Sequence, residues 1–203
     1  MTTEFEEKVA TKVVTISPAI LTQLSSVAVC AGDDSARPLL TNIHMYSKDG
    51  HLVADATDSH VLGRIVVEVP GIGDFDTLVP AKWLVSAVKS LKIPKHRQTA
   101  SILMIEVTGD TLTLRGPDGS SSVSIMDGTF PSVDQVIPAA GNYVSEPGSF
   151  NASFLSKMSK MLPEKVAVWE CVSMSPTRPS VWTRDHSGAS ALFLIMPSRN
   201  YKD

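Results

Sequence analysis

"VVTISPAILTQLSSVAVCAG", Val13 to Gly32, carries one apolar period and then another. Val13 to Ser17 is a short run rich in β-branched residues, the composition of a strand. Ser17 is then placed to cap a helix, and Pro18 takes the first helical position, where its missing N–H costs nothing. Ile20, Leu21, Leu24, Val27, Ala28 and Ala31 recur at helical spacing up to Gly32, a natural stop. Three strand-like runs follow, "NIHMYS", "HLVADAT" and "HVLGRIVVEV". The first two are joined across Lys48-Asp49-Gly50, a hairpin-type turn. The order is strand, helix, three strands.

That order then returns, and repetition of this kind decides a fold before any single motif does. "FDTLV" (75–79) leads into "PAKWLVSAVKSLKI", again with proline at the helix start. The strands "SILMIEV", "TLTLRG" and "SSVSIM" follow, turned at Thr108-Gly109-Asp110 and Pro117-Asp118-Gly119. A third pass opens at "GSFNASFLSKMSKML" (148–162), with Asn151 as the expected cap, and closes through "VAVWECVSM", "SVWTR" and "ALFLIMP". Leu21, Leu84 and Leu155 hold equivalent helix positions. The expected organisation is a polar leader (1–11), a two-unit domain (12–137), an exposed linker (138–147) and a single third unit with a C-terminal tail (148–203). One unit alone has open sheet edges and an uncovered apolar face, so it must pair with something.

A chain of 203 residues that is 43% hydrophobic buries a real core. Its formal charge of −3 does not announce a nucleic-acid binder, although a basic patch can sit inside an acidic total. The opening MTTEFEEKVATK is not a signal peptide, and no apolar run approaches the length of a bilayer span. A soluble, cytoplasmic chain is the expectation. Cys30 and Cys171 fit no metal spacing and read as buried thiols in a reducing compartment. No metal or cofactor is implied.

On the second helix, Trp83, Leu84, Ala87, Val88 and Leu91 share an arc, with Lys82, Lys89 and Lys92 opposite and Lys95, His96 and Arg97 beyond. On the third, Phe154, Leu155, Met158, Met161 and Leu162 share a face, with Lys157 and Lys160 on the other. A merely wetted face mixes signs, yet neither basic face contains an acid. Lysine alone on two equivalent helices suits phosphates, bound without regard to sequence.

"TDSHVL", Thr57 to Leu62, sets an aspartate, a serine and a histidine side by side. Neighbours in a strand point to opposite faces, and no G-x-S-x-G elbow occurs, so a hydrolytic triad is not expected here. "GIGDFD" (71–76) is a poor phosphate loop, because a strand follows it.

Four segments carry a resemblance: "ATDSHVLG" (56–63), "MDGTFPSVDQVIP" (126–138), "FNASFLSKMSKML" (150–162) and "LFLIMPSRN" (192–200). In this order, over this repeat, the chain resembles the bacterial DNA polymerase sliding clamp, the beta subunit or processivity factor. The resemblance implies an α+β clamp fold, with helices lining a ring around duplex DNA and sheets forming the outer wall. It implies a non-enzymatic tether for a replicative polymerase, with clamp-binding-motif proteins and a clamp loader as partners. It also implies that Lys82, Lys89, Lys92, Lys95, Arg97, Lys157 and Lys160 face DNA. The histidine segment becomes part of a peptide-binding pocket. By position its lining is Thr57, His60, Leu62, Pro131, Val136, Asn151, Phe154, Val181, Leu194, Ile195, Met196, Pro197, Ser198 and Arg199, an apolar setting for leucine or phenylalanine anchors.

The chain departs from the family in length, with three units where the family has six. If the ring keeps twelve units, four such chains close it head-to-tail, with each third unit expected to find its partner in the first unit of the next chain or through an equivalent swap across the interface. Two pocket positions also differ: Val61 stands where arginine is usual and Ser198 where methionine is common. The alternative reading is a clamp-like interaction protein that captures clamp-binding peptides without forming a ring.

Overall fold

The computed structural model describes residues 11–91, 101–162, 168–186 and 188–198. The first pass is β1 (Thr11–Ile16), α1 (Pro18–Ser25), β2 (Asn42–Lys48), β3 (His51–Thr57) and β4 (Val61–Glu68). Ser17 caps α1 as expected, its Oγ accepting the N–H of Ile20 at 3.3 Å. The helix is shorter than its apolar period, tightening into a 3₁₀ turn over Ser26–Cys30. The second pass is β5 (Asp76–Pro80), α2 (Ala81–Ser90), β6 (Leu103–Thr108), β7 (Thr111–Gly116) and β8 (Gly119–Ser124). The third is α3 (Ser153–Met158), β9 (Glu170–Ser173), β10 (Ser180–His186) and β11 (Ala189–Ile195). Asn151 serves the start of α3 through its Oδ1, which accepts the N–H of Ser153 at 2.9 Å.

The strands form two antiparallel sheets, ordered β1-β6-β7-β8 and β5-β2-β3-β4-β11-β10-β9. The leading strand of each of the first two passes crosses over. β1 pairs with β6 of the second pass, and β5 pairs with β2 of the first. The third pass has no leading strand of this kind among the described residues; Ser145 contributes a single parallel bridge to Met174. The third pass instead joins the first, because β11 runs antiparallel to β4 from Ala189↔Val67 to Ile195↔Val61.

This pairing bears against the expected head-to-tail exchange, because the first pass is engaged within its own chain: β1 is held by β6, β5 lies on β2, and β11 covers β4. Two side chains also differ from expectation. Cys30 is buried but Cys171 is exposed. Leu155 has the spacing of a buried face shared with Met161 and Leu162, which are buried; its own side chain is 37% exposed.

Strand alternation sorts the core. Ala54, Ala56, Ile65, Phe193 and Ile195 point to one face, where α1, α2 and the residues after α3 cover them. Leu62, Leu194 and Val181 point to the other face, under the crossing segment that contains Phe130 and Val133. Gly63 on β4 faces Cys30 of the first pass and Met161 of the third. A Cβ there would lie 2.7 Å from Cys30 Sγ and 3.1 Å from Met161 Sδ. Gly63→Ala is therefore expected to cost about 1–3 kcal/mol, as overpacking in cores does. Urea unfolding would read this as a lower midpoint at unchanged slope, and an unaltered midpoint would contradict the close approach.

Candidate functional site

The outer face of the seven-stranded sheet carries one continuous register row. Thr57 on β3 pairs with Leu62 on β4, Leu62 with Leu194 on β11, and Leu194 with Val181 on β10. Four strands from two passes thus present one row to the same side. Above it the chain crosses from Phe130 to Ile137 through a 3₁₀ turn, Val133–Gln135. Phe130 and Val133 pack on Leu62, Leu194 and Val181, with Ile137 and Met196 at the margin. Between row and crossing lies a cavity of about 190 Å³ lined by Leu40, Thr57, Ser59, Val61, Leu62, Pro131, Ser132, Val133, Val136, Leu194 and Met196. A second hollow of about 310 Å³, with Gln135, Pro138, Asn142, Arg178 and Pro179, shares Val136 and Met196 with the first. The two make one groove, apolar at one end and opening towards Arg178.

Six of the residues expected from the sequence meet at the cavity: Thr57, Leu62, Pro131, Val136, Leu194 and Met196. Val181 lies fully buried beneath it as part of its floor. Ile195 does not belong to it. Adjacent residues in β11 face opposite ways, so Ile195 sits in the helix-covered core while Leu194 faces out. His60 and Phe154 lie apart from the cavity, stacked on each other with ring centroids 5.9 Å apart. Asn151 is occupied at the start of α3. The backbone N–H of Ser198 donates to Ser149 O at 2.8 Å, and Pro197 is part-buried beside it. Arg199 lies outside the described residues. Val61, expected as a pocket position that departs from the family's arginine, lines it too, and Leu40, Ser59, Ser132 and Val133 complete the lining without having been expected. For Leu40 the available signal was the apolar Pro38-Leu39-Leu40 run, which breaks the repeat between α1 and β2.

The Asp-Ser-His run is a turn scaffold. Ser59 turns the chain at φ +79°, and Thr57 Oγ1 donates to Val61 O at 2.6 Å. Asp58 Oδ1 accepts the N–H groups of His60 and Val61, each at 2.8 Å. Its other oxygen accepts from Lys157 Nζ at 2.7 Å, tying α3 to the turn. Ser59 Oγ accepts from Arg37. Burial works against the Asp58 charge, but the Lys157 bond and the two backbone N–H bonds outweigh it and hold the carboxyl below its ordinary value.

Lys157 is therefore not a free cation on a solvent face, which corrects its place in the basic set. Its acid comes from a distant turn rather than from its own helix. Lys82 and Lys89 are exposed on α2, and Lys160 is exposed just beyond α3; none enters an ion pair among the described residues. Lys92, Lys95 and Arg97 lie outside those residues.

A second tie fixes the groove's wall. Asp134 pairs with Arg64 at 2.6 Å and with Lys48 at 3.4 Å. Arg64 also holds Asp55, its register partner, at 2.7 Å, and Tyr46 O–H reaches Asp55 Oδ2. Burial opposes the Arg64 charge, but the Asp55 and Asp134 carboxylates overcome it and raise its affinity for the proton. The Arg64 bond, in turn, lowers the Asp134 carboxyl. Phe130 anchors the start of the crossing on His44, centroids 5.3 Å apart.

No protein-family model matches the sequence. Solved structures do. The DNA polymerase III beta chain of Streptococcus pneumoniae superposes with a TM-score of 0.75 at 18% identity, over 98% of this chain and 67% of that one. The chain has the sliding-clamp fold. The DNA polymerase sliding clamp of Pseudomonas aeruginosa, solved with a ligand, gives 0.76 at 14% identity over 98% and 69%. That of Bartonella birtlesii, bound to griselimycin, gives 0.74 at 18% over 98% and 68%. This clamp fold is thus the length of about two thirds of each.

The ties around the clamp-fold groove differ in what their removal should cost. Arg64→Ala leaves Asp55, which is 0% exposed, without its partner, and is expected to cost about 3–5 kcal/mol. Asp134→Asn removes a half-exposed partner and should cost about 1 kcal/mol or less. Equal losses in denaturant unfolding would contradict this ordering. For Asp58 the unfolded carboxyl binds its proton first on acidification, because the folded one is the stronger acid. Its contribution is complete above about pH 4, the ordinary carboxylate value, and fades as pH falls through the lower folded value. The stability gap between wild type and Asp58→Asn should therefore shrink below about pH 4. A gap constant across that range would remove the Lys157 tie as its cause.

Proposed function

We propose that this chain is a DNA sliding clamp: a ring around duplex DNA that holds a replicative polymerase through a peptide seated in the outer groove. On this reading it acts in the cytoplasm, residues 12–137 form a two-unit domain, 138–147 a linker, and 148–203 a half-domain with a tail. The groove carries the proposal. Leu62, Val136, Leu194 and Met196 offer apolar walls on a face that the helices leave uncovered, suited to leucine or phenylalanine anchors of a partner's extended segment. Lys82, Lys89 and Lys160 supply phosphate contacts on the helix side, and twelve units in the ring make it a homotetramer. A clamp loader and other proteins bearing the same peptide motif are the further partners.

Two measurements test this. A short peptide ending in leucine and phenylalanine should bind the wild type, and Val136→Glu, a change at an exposed groove residue, should weaken it at least about tenfold, or about 1.4 kcal/mol. Unchanged binding would take the groove away. Retention on nicked circular DNA should fall with salt, and replacing Lys82, Lys89 and Lys160 by alanine should reduce the salt slope by about 0.9 for each phosphate no longer neutralised. Peptide binding by a monomer that circular DNA does not retain would select the second reading, a peptide-capturing protein without a ring.

A further inference from the structure

The first two passes show how one unit completes another in this chain. α1 packs on α2, and the equivalent leucines where they meet, Leu21 and Leu84, are 0% and 2% exposed. Each unit's first strand after the helix is covered on its outer edge by the other unit's leading strand, β5 on β2 and β1 on β6. The arrangement is reciprocal, and it leaves the strands at the far ends, β4 and β8, to meet other units. β4 does so within the chain, pairing antiparallel with β11, the last strand of the third pass.

The third pass lacks both completions among the described residues. Leu155, in the position of Leu21 and Leu84, stands 37% exposed, and Val168, just before β9, is 75% exposed. β9 ends the seven-stranded sheet; Val144 to Glu146 bonds Ser173 and Met174 at one end of it, and no described strand covers the rest of its outer edge. Among the described residues no strand of the first or second pass covers them: β1 lies on β6, β5 lies on β2, and β4 is held between β3 and β11. One surface has the same deficit, and that is a third pass of another copy. Helix against helix is the means by which the first two units complete each other here, so two third units can complete one another in the same manner.

We propose that two copies join through their third units about a two-fold axis, with α3 on α3 in the way that α1 lies on α2, and with the β9 edges flanking the joint. This deepens the ring proposed above and replaces head-to-tail contacts by isologous ones. The joined pair then exposes two β8 edges. β8 is the counterpart of β4, whose edge accepts another last strand antiparallel, so two β8 strands meet antiparallel about a second two-fold. Alternating the two interfaces closes four chains with D2 symmetry, a common tetramer form. The α3 interface stands without the ring; the closure to four chains rests on the ring reading.

The test is the mass of the full-length chain in solution by light scattering and sedimentation velocity. The variants are Leu155→Glu, at an exposed site, and Ser122→Lys, which sets like charges opposite each other across a β8 pair. Circular dichroism and the urea midpoint check that each variant folds. A wild-type tetramer, halved in mass by either substitution and reduced to monomer by both, supports the arrangement. A dimer that Leu155→Glu dissociates supports the α3 interface and ends the four-chain ring. A tetramer whose mass Leu155→Glu leaves unchanged overturns the α3 interface while leaving the ring. A wild type that is monomeric throughout the micromolar range overturns both.

Discussion

The antiparallel pairing of β4 with β11 is the constraint from which the rest follows. It joins the first pass to the last strand of the third across more than a hundred residues, an expensive closure in chain entropy. In return seven strands share one hydrogen-bonded sheet. The register it fixes aligns Thr57, Leu62, Leu194 and Val181 in one outer row. A shift by one residue would turn Leu62 and Leu194 into the core and bring Gly63 and Phe193 out. Gly63 resists such a shift, because a position pressed against Cys30 and Met161 accepts no side chain. Asp58 and Lys157 tie the same joint from the turn above it.

Much of this was legible in the sequence. Period-2 and period-3.6 runs located the three described helices and the strands that follow them, because most of these elements bury one face and wet the other. Ser17 and Asn151 read as helix-start residues from their side chains alone, and both act on nearby backbone N–H groups. What the periods did not contain was tertiary choice. Leu155 has the spacing of a buried leucine, but burial needs a facing helix, which the third pass does not have among the described residues. Lys157 has the spacing of a solvent-facing lysine, yet its acid arrives from a turn 99 residues away in the chain.

The groove was legible in part, for the same kind of reason. Resemblance supplied a set of positions, whereas strand alternation decides which of two neighbours faces the groove. Leu194 and Ile195 were both expected there, and one strand cannot turn two adjacent residues the same way. His60 and Phe154 were expected to line the cavity and instead stack on each other at one side of it. Leu40 and Val133 were missed because both lie in 3₁₀ turns, where neither apolar period runs long enough to be noticed.

Residues of opposite parity on the same strands carry separate duties. On β4, Ile65 and Val67 anchor the helical layer, while Leu62 and Arg64 shape the groove and the tie to its wall. A ring on the reading proposed here needs that separation, since the helix side would have to slide past phosphates while the outer side holds a peptide still. Weak, unpaired lysines serve sliding, because a long-range, non-directional attraction breaks and re-forms at little cost. A groove with a fully buried floor, by contrast, grips through shape and excluded water. On that reading the sheet between them would be the stiff layer that lets the two kinds of grip coexist on one chain without one disturbing the other.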